Sequence, residues 1–133
     1  MTTLGFSSAI ADSILNGFGN ATNWTAPTAV WVKLHVGDPG SAGTANPAVH
    51  TTRIQASFGA PGTNAGTRRV LNDADITFAD VDGAEDFTHF STWTDETAGT
   101  FLGDGLMTAN AVQIGDDFVV PIGDLEVNIN LAT

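Results

Sequence analysis

Apolar and polar residues alternate along Thr28 to Gly40, TAVWVKLHVGDPG, more regularly than anywhere else in the chain. Val30, Val32, Leu34 and Val36 fall on one side of a period-two pleat, with Trp31, Lys33 and His35 on the other. The first face is core. The second mixes an aromatic, a cation and an imidazole, which suits a partly covered surface such as a subunit contact. Gly37-Asp38-Pro39-Gly40 ends the strand, because Pro cannot donate to a ladder and Gly supplies the positive φ of a turn.

The same period returns further on. Ile54, Ala56 and Phe58 alternate with Arg53, Gln55 and Ser57, and Ala74, Ile76 and Phe78 share a face over residues 73–81. Residues 86–94 place Phe87 and Trp93 on one face and Phe90 on the other, which predicts a central strand covered on both sides. Residues 99–106 and 107–114 read as two short strands or bent pieces, with Gly103 and Gly105 permitting a bulge. Arg68 to Leu71 begins another strand. Near the end, Leu125, Val127, Ile129 and Leu131 alternate with Glu126, Asn128 and Asn130, the pattern of a half-buried antiparallel strand. Residues 41–52 form a polar loop long enough for an interaction, and residues 60–67 a second, flexible one.

One segment follows a helical period. Phe6, Ile10 and Ile14 recur at i+4, Ala11 and Leu15 widen the stripe, Ser7 or Ser8 caps the start, and Gly17 and Gly19 bracket the end. A helix over about residues 6–17 is too short to stand alone and must dock on its own sheet or on a neighbour. One leading helix and six to eight short strands predict a mainly β domain spanning residues 1–133, an antiparallel β-sandwich or a barrel-like fold.

Composition adds a need for neighbours. Only 14% of the residues are charged against 42% apolar, below the usual quarter, so part of the surface is expected to lie against other protein. The net charge of −11 is unevenly spread. Lys33, Arg53, Arg68 and Arg69 give the first seventy residues +2, and thirteen acids give the rest −13. Four cations make no phosphate-binding patch, so nucleic acid is excluded as the main partner. The chain has no cysteine, no basic-then-apolar leader pattern and no apolar run of membrane-spanning length. A soluble protein with no membrane partner is expected.

No group of residues amounts to an active site. His35, His50 and His89 match no zinc spacing. The acidic run Asp80 to Asp86 places Gly83 too early for an EF-hand loop, so a solvated turn is expected there. Ser91, His35 or His89, and Asp38 or Asp95 supply the residue types of a hydrolytic triad, but no strained Gly-x-Ser-x-Gly turn presents the serine. Trp24, Trp31 and Trp93 read as packing residues before they read as a sugar-stacking platform. No catalytic, cofactor-binding or metal-binding residue is assigned, and no cofactor is expected.

Four blocks in order, LGFSSAIADSILNGFGN, APTAVWVKLHVGDPGSAGTANPA with TTRIQASFG, THFSTWTDETAGTFLGDG and VQIGDDFVVPIGDLEVNI, resemble small virion proteins of tailed bacteriophages that infect actinobacteria. Such proteins are labelled tail fibre or minor tail protein, and some relatives look like head-decoration or minor capsid proteins. The resemblance implies a non-enzymatic structural protein on the outer surface of the particle. A compact chain without trimerising repeats favours capsid decoration, as a homotrimer bound to capsid protein and stabilising the head. The alternative is a tail fibre or minor tail protein that contacts other tail proteins or a host surface glycan. The expected interface comprises Trp31, Lys33 and His35 with the helix, and Arg53, Arg68 and Arg69 meeting acidic regions of adjacent copies.

Overall fold

The computed structural model describes the chain from residue 2, and its side chains from residue 5. Ten strands and one helix follow in the order β1 (Thr2–Phe6), α1 (Ser8–Gly19), β2 (Val30–His35), β3 (Ile54–Ala56), β4 (Gly62–Asn64), β5 (Thr67–Leu71), β6 (Ile76–Phe78), β7 (Glu85–Trp93), β8 (Phe101–Val112), β9 (Phe118–Val120) and β10 (Glu126–Asn130). Eight strands form one sheet in the order β3-β2-β7-β8-β1-β10-β5-β4, and β6 and β9 form a second, two-stranded sheet. Neighbouring strands are antiparallel except β1 and β10, which run parallel. The large sheet ends on β3 and β4, so it does not close into a barrel. Among the described residues no helix is long and apolar enough to cross a membrane.

The core explains why two sheets form. Val32 and Leu34 of β2, Phe87 and Phe90 of β7, and Met107 and Val112 of β8 face Ile76, Phe78, Phe118 and Val120 of the small sheet, with Val81 and Leu125 closing the ends. Phe118 sits between Phe87 and Phe78, with ring centroids 5.2 and 6.2 Å away. The mainly β, sandwich-like expectation therefore holds. Ser7 caps α1 as expected, accepting a hydrogen bond from the Ile10 amide at 3.3 Å.

Several elements differ from the sequence expectation, each for a local reason. The helix starts at Ser8 because Thr2–Phe6 is a strand, so Phe6 belongs to β1 and not to the helical stripe. A register shift between Phe87 and His89 turns Phe87 and Phe90 to the same side, and both are wholly buried in the core. Residues 101–112 are one twelve-residue strand, not two. The supposed flexible loop at 60–67 contains β4, hairpinned to β5 through Ala65 and Gly66, both at positive φ. Residues 116–122 contain β9, the partner of β6.

Gly103 fixes how β1 enters the sheet. A Cβ at this position would overlap the Gly5 carbonyl oxygen and lie 3.3 Å from the Phe6 Cα, and backbone cannot move aside as a flexible side chain would. Gly103→Ala is expected to lower the unfolding free energy by about 1–3 kcal/mol, with amide exchange rising first in β1. Urea denaturation with hydrogen exchange checks this, and unchanged stability would mean that β1 does not pack so closely.

A second tie is polar. Asn72, 1% exposed, donates through Nδ2 to the carbonyls of Ala74 and Pro121 at 2.9 Å and accepts at Oδ1 from the Leu125 amide at 2.8 Å. One side chain thus joins the β5–β6 connection to the β9–β10 connection.

Candidate functional site

Antiparallel pairing of β2 with β7 sets Trp31 opposite Trp93, Lys33 opposite Ser91 and His35 opposite His89 on the face of the sheet away from the core. Trp31 and Lys33 remain half-buried, and Gln55 of β3 lies across from Trp31. The Arg53 guanidinium stacks 4.1 Å above the Trp93 ring and donates to the carbonyls of Asp95 and Ala98. Burial, then the Arg53 charge, pushes the Lys33 ammonium below its ordinary pKa. The result is a small cationic and aromatic strip on an otherwise acidic protein.

His35 does not share that exposure. It is fully buried, because residues 36–47 fold back over it and supply from the same chain the cover expected from a subunit. Gly43, at φ +70°, lets this loop lie against Phe101; a Cβ there would come within 2.5 Å of the ring. Ala45 O can only accept, so His35 Nδ1 carries the hydrogen that bridges them at 2.8 Å. Nε2 then accepts from the Ser91 hydroxyl at 2.8 Å, and Trp93 Nε1 donates to that same oxygen at 2.8 Å.

Ser91 and His35 therefore do meet, but the third partner is a backbone carbonyl in place of Asp38 or Asp95. Both side chains are 0% exposed, so no substrate reaches the hydroxyl. Burial pushes the imidazole below its ordinary 6.5, against the opposing pull of the Ala45 carbonyl. The folded state thus resists a proton that the unfolded chain takes up near 6.5, so stability falls as pH drops below that value until the folded imidazole titrates. Nitrogen NMR is expected to show His35 neutral, with the hydrogen on Nδ1, at about pH 6; a protonated ring there would refute the assignment.

The remaining acids and cations are largely spoken for. Arg69 pairs with Glu126 at 2.6 Å, and Arg68 donates to Thr63 Oγ1 and the Pro61 carbonyl, bracing the β4–β5 hairpin. The arginines expected to reach other copies are thus engaged within their own chain. Asn128 and then Arg69 hold the Glu126 carboxyl below its ordinary 4.5. That contribution to stability is complete above 4.5 and is lost as the pH falls from there through the lowered folded value.

The acidic run at 80–86 spreads its carboxylates. Asp82 meets His50 Nδ1 at 3.0 Å, and Glu85 accepts from the Val49 amide. Asp38 and Asp104 share a polar hollow of about 290 Å³, where burial and then the Asp38 charge push the Asp104 carboxyl up. No third ligating side chain joins them among the described residues.

A separate surface lies at the N-terminal side. An apolar hollow of about 210 Å³ is lined by Val30, Val70 and Val127 from the sheet, Phe58 beyond β3, Trp24, and Ile10 of α1. Trp24, read from the sequence as a packing residue, therefore borders an open hollow and stays 45% exposed. Helix α1 buries none of its residues. Phe18, 94% exposed, is absent from the sequence-derived stripe, although Ile10, Ile14 and Phe18 continue its i+4 series.

A family model described as Podophage GP4 fiber I protein gp80 matches residues 5–128. A search of curated proteins finds no match.

Proposed function

We propose, for a chain that belongs to the podophage GP4 fiber I protein gp80 family, that it works as a tail-fibre component of the virion, acting by binding and not by catalysis. The observation that carries this reading is the family match, which runs over nearly the whole chain. A phage structural protein follows from that membership directly. The capsid-decoration role, expected first from the resemblance, finds no support in the match, which fits the tail-fibre alternative better.

The geometry supports a binding role in two ways. The contact of Ser91 with His35, which has catalytic residue types, is sealed from solvent. The partly exposed strip of Trp31 and Lys33, flanked by Arg53, offers cations and an aromatic edge to an acidic partner, as a host surface glycan bearing carboxylates would be.

Immunogold microscopy of intact phage with an antibody to this chain tests the reading. Label confined to the tail is the expected result. Label spread over the head would restore the decoration role, and an unlabelled particle would remove both.

A further inference from the structure

Helix α1 is a twelve-residue element that touches β1 and β8 but is only lightly packed on them. Ile14, Leu15 and Phe18 are 39%, 65% and 94% exposed, and none of its residues is buried. A helix of this length is marginal in water without a packing surface. Beside it, the hollow floored by Val30, Val70 and Val127 has room for one large apolar side chain, and the chain places none there. A projecting aromatic and an empty apolar recess thus stand on one chain as separate patches.

Charge selects what can cover them. At −11, two copies repel over most of their surfaces, but residues 1–32 carry a single charged side chain, Asp12. On the sheet side the pleat sets Arg68 on the same face as Val70, and its guanidinium is held by Thr63 Oγ1 and the Pro61 carbonyl. A compact monomer of 13.7 kDa exposes about 6,600 Å², and this chain, with α1 largely uncovered, exposes 7294 Å².

We propose that the α1 helix of one copy docks on a second copy of this chain, seating Phe18 in the apolar hollow beside Trp24. Knob and recess are different patches, so the contact is heterologous: each copy can give one and receive one. The interface is apolar and the background charge repulsive, so added salt strengthens association. A contact made by Arg53, Arg68 and Arg69 on acidic regions would weaken instead.

Sedimentation equilibrium of the full chain at low and high salt tests this. The expected mass is a multiple of 13.7 kDa, maintained or increased at high salt. Phe18→Glu, at a side chain with almost no contacts to lose, is expected to weaken association by about 30-fold or more. Val127→Trp fills the recess and is expected to do the same. An equimolar mixture of the two variants regains association, because one retains the recess and the other the knob. A monomeric wild type, a Phe18→Glu protein that still assembles, or a mixture that stays monomeric while Val127→Trp unfolds like the wild type would each overturn the proposal. If Val127→Trp does not fold, Phe18→Glu decides alone. The contact does not depend on where the chain sits on the particle, so its failure leaves the tail-fibre reading standing.

Discussion

Replacing Asn72 with alanine is expected to lower the unfolding free energy by about 2–4 kcal/mol. The amide of Asn72 serves three backbone groups at once, the carbonyls of Ala74 and Pro121 and the amide of Leu125. Truncation strands the buried Leu125 amide, at about 1–3 kcal/mol, and takes one donor from each carbonyl, of which Pro121 keeps the Asp124 amide. Asn72→Asp separates the contributions. It keeps the acceptor for Leu125 but removes both donors and buries a charge beside two carbonyls, so it should be no better than alanine. Urea denaturation at constant m-value measures both. A loss under about 1 kcal/mol for the alanine variant would show that the two connections hold together without Asn72.

Phe90→Ala should cost about 3–5 kcal/mol by the cavity it leaves. Phe90 is 0% exposed, with Leu34 across on β2 and Gly105 across on β8. Gly105 has no side chain to move into the space, and Leu34 is itself wholly buried and packed in the core. Phe90→Leu keeps most of the volume and should lose less than half as much. If both substitutions cost the same by denaturation, cavity volume is not what Phe90 contributes. Phe87→Ala makes a useful comparison, because its ring packs edge-on to Phe118 and couples the two sheets directly.

The strand content of this chain was legible wherever the local period was unbroken. β2, β3, β6 and β10 announce themselves by alternation; Val32, Leu34, Ala56, Ile76, Phe78 and Leu125 are buried as expected, whereas Val36, Ile129 and Leu131 of the same stripes run past the core and stay exposed. Phe87 and Phe90 failed that test because a bulge inserts one residue into the alternation, and no residue type between them signals it. β4, Gly62–Asn64, has no apolar residue to alternate, and β9, Phe118–Val120, is an unbroken apolar run whose partner β6 lies far back in the chain.

The interface residues divide by what lies over them. Lys33 and Trp31 stayed accessible, but the cover over His35 comes from a loop ten residues downstream, a tertiary fact with no local trace. Asn72 was likewise invisible, since an asparagine between a strand and a turn looks like any turn residue until its three partners converge. Phe18 could have been found by carrying the i+4 series one step past Gly17, where a glycine was read as the end of the helix.

The position of β1 bears on how the molecule is made. It lies between β8 and β10, pairing Thr2 with Leu106 on one side and with Glu126 on the other. In the sheet order, strands β3, β2, β7 and β8 join β10, β5 and β4 through it, with the Phe58–Asn72 bridge as a second backbone link. A ribosome delivers this strand long before either partner, so it has to be kept waiting. Closing such distant pairs is slow. In the interval β8 and β10 each present an unpaired edge, and any strand of matching length can take the vacant place, including β1 from another nascent chain. Folding yield should therefore depend more on dilution during synthesis than on the final stability of the sheet.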